Sequence, residues 1–201
     1  MELLKTNKAW TVWVTQKEKI LSQASKWKDA GVSTYACNVE IGREFRPFQR
    51  NFVEITDKII ENPTFFSENY NFLAIDLENS ELACLDIEGS PGSVNDFMSI
   101  LEEKSINIEE LIVEKTPNNG LHIYFRHSKD KKRENIFSME LKNIKSDVLC
   151  RGKVFTFPSC VGEKRYDPMF NIEFNINKDK IIDMPSAIHT LFCKRMINRI
   201  Y

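Results

Sequence analysis

From about residue 70 the spacing of apolar residues changes, and no other feature limits the fold as much. Before that point apolar side chains recur at helical intervals. In "TQKEKILSQASKWKDAG" Ile20, Ala24 and Trp27 mark one stripe, Thr15 and Glu18 make a capping box, and Gly31 is placed to end the helix. A second helix reads from about Phe48 to Glu61, with Phe48, Phe52, Ile55 and Ile59 in step and Asn62-Pro63 as its stop. Beyond it come short apolar runs bounded by turn residues, which is the pattern of strands. "NFLAIDLENSELACLDIEG" reads as two strands joined by a turn at Glu78-Asn79-Ser80. "ELIVEKTPNNGLHIYFRH" reads as a hairpin around Pro117-Asn118-Asn119-Gly120. Within it Leu121, Ile123 and Phe125 share one face, and His122, Tyr124 and Arg126 the other. Ser93 opens a helix carrying Val94, Phe97 and Leu101; "VFTFPS" and "FNIEFNI" are further strands, and Ser186 to Ile200 is a closing amphipathic helix.

Helices and strands follow no regular alternation, so the expected class is α+β, a mostly antiparallel sheet flanked by helices. One domain over residues 1–201 is expected: a mixed helical part over 1–69, a core over 70–180 and the closing helix over 185–200. Lys and Arg number 28 against 29 Asp and Glu, a net charge of −1, so any nucleic-acid surface must be a local patch. Cys37, Cys84, Cys150, Cys160 and Cys193 are odd in number and form no C-x-x-C pair. That argues against a zinc site or a disulfide framework and for a reducing, cytoplasmic setting. With no leader-like start and no apolar run of spanning length, no membrane partner is expected.

"LACLDIEG" poses the chemical question, because an apolar run ends in Asp86 and Glu88. Residues two apart on a strand face the same way, so these acids converge while Ile87 points into the core. Clustered carboxylates suit Mg²⁺ or Mn²⁺, although a lone D-x-E is more commonly a solvated strand end. The near-repeat Asp76 and Glu78 is the weaker pair, since Glu78 falls in the turn. His122 follows a tight turn whose backbone N–H groups suit phosphate. A His-hydrophobic-His nuclease is disfavoured, because His122 and His127 are five apart and face opposite ways. In "SDVLCRGKVFTFPSC", Asp147 offers a third acid, and Arg151 and Lys153 offer cations for a triphosphate.

In order and spacing, "LACLDIEG", "VEKTPNNGLHIYFRH" and "SDVLCRGKVFTFPS" resemble the three motifs of the Prim-Pol branch of the archaeo-eukaryotic primase superfamily. Those motifs are D-x-D/E on a strand, a T-P-x-G-G-x-H-x-Y-F hairpin, and an Asp before a strand ending in Pro-Ser. The match covers roughly residues 70 to 160, and "FNIEFN" with "DMPSAI" resembles the family's exit. The resemblance implies an RRM-like catalytic core in which Asp86, Glu88 and Asp147 hold two Mg²⁺ or Mn²⁺ ions. Such ions sit ~3.5–4 Å apart and clamp the attacking and leaving oxygens. His122 would contact the nucleotide's phosphates with the Asn119-Gly120 backbone beside it, and Arg151 and Lys153 would lie along the triphosphate. Asp86 and Glu88 would then occupy the catalytic strand, with Asp76 and Glu78 in the hairpin before it. Asn119 stands where the family has the first Gly of a pair, and it tolerates left-handed backbone.

The implied activity is template-directed nucleotidyl transfer, primer synthesis or extension, from dNTPs or NTPs on a single-stranded DNA template with a primer strand. A helicase module or CRISPR adaptation proteins are the partners the resemblance suggests. Two other classes remain open: a metal-dependent nuclease using the same acids, and a non-catalytic module that binds single-stranded nucleic acid. Lys129, Lys131, Lys132 and Arg133 in "SKDKKREN", and the basic-aromatic "GREFRPFQRNF", fit template phosphates and bases under all three.

Overall fold

Helix α1 (Gln16–Asp29) starts where Thr15 accepts the Glu18 amide and the Glu18 carboxylate accepts from Thr15 in return, the full capping box. It ends before Gly31, whose φ of +83° reverses the chain at little steric cost. Its stripe of Ile20, Ala24 and Trp27 is fully buried. The computed structural model describes residues 15–39, 51–90, 92–127, 134–141, 143–170, 176 and 181–192.

Two strands follow, β1 (Thr34–Cys37) and β2 (Val53–Glu54), and then helix α2 (Asp57–Glu61). The helix expected over Phe48–Glu61 is therefore corrected within its described part. Val53 and Glu54 pair with Ala36 and Tyr35, and the Ile55 amide bonds the Thr34 carbonyl at 2.9 Å. An edge pairing that seats the buried Ile55 outweighs the helical spacing of Phe52, Ile55 and Ile59.

Strands β3 (Phe72–Asp76) and β4 (Leu82–Ile87) come next, followed by helix α3 (Ser93–Glu103). Then come β5 (Ile112–Lys115), β6 (Leu121–Arg126), β7 (Ile136–Leu141), β8 (Ile144–Leu149) and β9 (Lys153–Thr156). The short β10 (Cys160–Val161), β11 (Lys164–Arg165) and β12 (Asp167–Pro168) precede helix α4 (Ser186–Phe192). The rest of the expected closing helix, and most of "FNIEFNI", lie outside the described residues.

The protein is α+β. The strands form an antiparallel four-stranded sheet in the order β2-β1-β3-β9, an antiparallel six-stranded sheet in the order β12-β5-β6-β4-β8-β7, and a small β10-β11 ladder. The expected β3–β4 hairpin is a second correction, because these strands belong to different sheets. Buried Leu77 carries the chain across, its amide bonded to the Gly152 carbonyl at 3.0 Å.

The six-stranded sheet is buried on both faces, which explains its unbroken apolar runs. One face sends Cys84, Ile112 and Tyr124 into a core shared with α1 and the four-stranded sheet. The other packs Leu85, Ile87, Ile123, Phe125 and Val148 against Phe97, Ile100 and Leu101 of α3 and Ile188 of α4. Among the described residues no helix is long and apolar enough to cross a membrane. Cys37, Cys84 and Cys160 are free thiols.

Candidate active site

The register of the six-stranded sheet sets four polar residues in a line. Glu114 lies opposite His122, His122 opposite Asp86, and Asp86 opposite Asp147. The row therefore crosses β5, β6, β4 and β8 on one face, with Cβ atoms of direct partners typically ~4.5–5.5 Å apart. Alternation does the positioning: Val113, Ile123, Leu85, Ile87 and Val148, the sequence neighbours of the row, are all buried against α3 on the opposite face. One step along the strands, Ile112, Tyr124, Cys84 and Leu149 belong to the shared core. The polar row is the edge of that core.

Glu114 is fully buried, and its carboxyl oxygens accept from three donors and face His122 Nδ1 as a fourth polar partner. Its Oε1 accepts from the Tyr124 hydroxyl at 2.6 Å and faces His122 Nδ1 at 3.2 Å. Its Oε2 accepts from the Thr156 hydroxyl at 2.9 Å and the Phe157 amide at 2.8 Å. On its other edge the His122 Nε2 stands 3.6 Å from Asp86 Oδ1. The Tyr166 ring lies 5.4 Å from the imidazole, which is only 5% exposed. Burial alone would discharge the ring. Hydrogen bonds and charge from Asp86 and Glu114 outweigh it and raise the pKa of His122 to about 9.

The three acids differ in access. The Asp86 side chain is 34% exposed, Asp147 is half-buried within β8 and precedes β9, the strand that leads into Pro158-Ser159, and Glu88 is exposed. The Glu88 amide still bonds the Lys145 carbonyl at 2.9 Å, so strand geometry runs past Ile87 and keeps Glu88 on the Asp86 face. Among the described residues no group of three or more His, Cys, Asp and Glu side chains is gathered into a ready metal cage. The donor set nonetheless fits a hard divalent cation: oxygen ligands only, on one face, with the most central acid reachable from solvent.

Behind Glu88 two glycines meet. A Cβ on Gly89 would run into the Asn118 carbonyl and stand 2.7 Å from Asn119 C and Gly120 N. A Cβ on Gly120 would run into the Ile87 carbonyl. The acid strand and the Pro117–Gly120 turn thus touch backbone to backbone. Asn119 has a φ of +62°, the left-handed conformation its side chain suits. The Asn119 amide donates to the Thr116 carbonyl at 3.0 Å and the Gly120 amide to the Thr116 hydroxyl at 3.1 Å. These two amides have partners inside the turn, so a phosphate there must displace Thr116 to reach them.

Arg151 and Lys153 are not brought to the row. Arg151 pairs with Glu78 and Lys153 with Asp76, both at 3.3 Å. Asp147 lies inside β8, whereas Arg151 lies beyond its end at Leu149. Asp76 is 5% exposed and also accepts from the Asn79 amide, which makes it part of the turn's structure. The Ser159 hydroxyl of the Pro-Ser end bonds both the amide and the carbonyl of Leu73, stapling β9 to β3. Lys129, Lys131, Lys132 and Arg133 lie outside the described residues.

Sequence reasoning missed Glu114. Its signal was available: a hairpin turning at Pro117–Gly120 sets Lys115 against Leu121, and so Glu114 against His122.

No family model matches this chain, and no curated protein matches it either.

Proposed function

We propose that this protein is a template-directed nucleotidyltransferase of the primase-polymerase type, with an RRM-like catalytic core. The observation that carries the reading is the register that sets Asp86 between His122 and Asp147 in one row. The three sequence segments that resemble Prim-Pol motifs each contribute to that row or its flank. Asp86 and Asp147, with Glu88 on the same face, are the residues that would hold divalent cations. When bound, such cations lower the barrier to in-line displacement at the α-phosphate by stabilising the attacking and leaving oxygens.

The chain's own groups account for the rest. His122 presents Nε2 beside Asp86 and binds the nucleotide's phosphates with a charged, buried donor, the kind of contact that is stronger than a neutral hydrogen bond. The Gly89–Gly120 contact keeps the acid strand and the His122 hairpin in fixed relation. Tyr166 packs against the imidazole and helps keep the ring buried.

The test is incorporation of labelled nucleotides on a single-stranded DNA template, with and without an annealed primer, in Mg²⁺ or Mn²⁺. Wild-type protein is expected to extend the primer, and Asp86→Asn and Asp147→Asn are expected to abolish extension while remaining folded. Shortening of the DNA without added nucleotides would make the same acids a nuclease site. Binding with neither reaction, or full activity in the Asp86 variant, would overturn the assignment.

A further inference from the structure

We infer that Glu114 is the positioning residue for His122, its buried carboxylate fixing which edge of the imidazole faces the acids. The inference deepens the nucleotidyl-transfer reading and rests on it for the role of His122. A carboxylate with no exposed surface is costly unless its lone pairs are filled, and Glu114 sits in an apolar run where Val113 and Ile112 serve the core without that cost. What the acid adds is direction.

The hydrogen bonds leave one arrangement for the ring. Tyr124 has a single hydroxyl proton, and at 2.6 Å it goes to Glu114 Oε1. It is then not available to His122 Nδ1, 3.3 Å from the same hydroxyl. Nδ1 must therefore carry a proton and donate it to Glu114 Oε1 at 3.2 Å. That fixes the ring with Nε2 toward Asp86, 3.6 Å away. The Tyr124 ring is itself braced edge-on by buried Trp27, with centroids 5.4 Å apart. The second oxygen of Glu114 reaches the other sheet, holding Thr156 and the Phe157 amide. One carboxylate thus ties the His122 strand to the Pro-Ser end of β9, so the ring is referenced to both sheets.

Glu114→Gln keeps the volume but replaces one acceptor oxygen with a donor, so part of the four-donor set loses its partner. The chain has three histidines, which makes their ring nitrogens resolvable in long-range proton–nitrogen spectra. Wild-type protein is expected to show a protonated, slowly exchanging Nδ1 on His122, and Glu114→Gln to shift both ring nitrogens. In primer extension the same variant should raise the nucleotide KM about tenfold, the loss of one charge-assisted hydrogen bond, with the primer-template KM unchanged. Added to His122→Ala it should cost nothing further. A residue that only holds the sheets together would lower the Tm without moving the ring nitrogens or splitting the two KM values.

An unprotonated Nδ1 in wild-type protein overturns the inference, and that reading needs no variant to fold. So does a Glu114→Gln protein whose His122 signals and nucleotide KM match wild type. If wild-type protein shows the bonded Nδ1 but incorporates no nucleotide, the pairing stands and the transfer reading falls.

Discussion

Gly89→Ala is the sharpest mechanical test of how the site is held. The added Cβ would lie 2.7 Å from Asn119 C and Gly120 N and still closer to the Asn118 carbonyl. All three neighbours are backbone, so no side-chain rotamer can absorb the clash. Ordinary Cβ contacts begin at 3.4 Å, so Asn119 C and Gly120 N must retreat by at least 0.7 Å, the difference between 3.4 and 2.7 Å, and the Asn118 carbonyl by more than that. Overpacking of this kind costs about 1–3 kcal/mol, offset by up to about 1 kcal/mol from stiffening the unfolded chain. Because the clash is with backbone the upper end applies, and a net loss of about 2 kcal/mol corresponds to a fall in Tm of roughly 4–8 °C for a chain this long. The retreat also moves the His122 hairpin relative to Asp86, and a misplacement near 1 Å can cost about 100-fold in rate. Thermal unfolding and single-nucleotide extension measure the two effects. A variant with parental Tm and parental rate would show that the two strands do not rely on this contact.

Two further outcomes follow from named contacts. Asp76→Asn removes the acceptor oxygen that Lys153 and the Asn79 side chain share, so stability should fall by about 1–3 kcal/mol while nucleotide incorporation persists; lost incorporation in a folded variant would mean that the wrong acid pair has been chosen. In metal-free protein, His122 has a folded pKa raised to about 9 above its ordinary 6.5. Its stabilisation is fully present below about pH 6.5 and lost as pH rises through 9, so the stability difference between wild type and His122→Asn should shrink over that window. A difference independent of pH would contradict the charged ring.

Much of this arrangement was legible because it is local. The capping box at Thr15 and Glu18 and the alternation of "LHIYFR" depend on neighbours within a few residues, and both are present as expected. The facing of His122 followed from the same alternation. What escaped was set by partners distant in sequence. A tight turn between two apolar strands reads as a hairpin, and nothing near Leu77 announces that β3 pairs with β1 and β9 while β4 pairs with β6 and β8. Phe52, Ile55 and Ile59 keep helical spacing, yet Val53 and Glu54 are claimed by the edge of β1. Arg151 and Lys153 follow Asp147 closely in sequence, but an extended strand carries them to the far end, where Glu78 and Asp76 take them. Glu114 was passed over as one acid in an apolar run; only its register against His122 gives it meaning.

Anomalous diffraction from crystals grown with Mn²⁺ and a non-hydrolysable nucleoside triphosphate tests the central claim most directly. The account predicts manganese bound by the carboxylates of Asp86 and Asp147, with the triphosphate against Nε2 of His122. Manganese and nucleotide held elsewhere, or a triphosphate seated at Arg151 and Lys153 with the Asp86 row left bare, would contradict it.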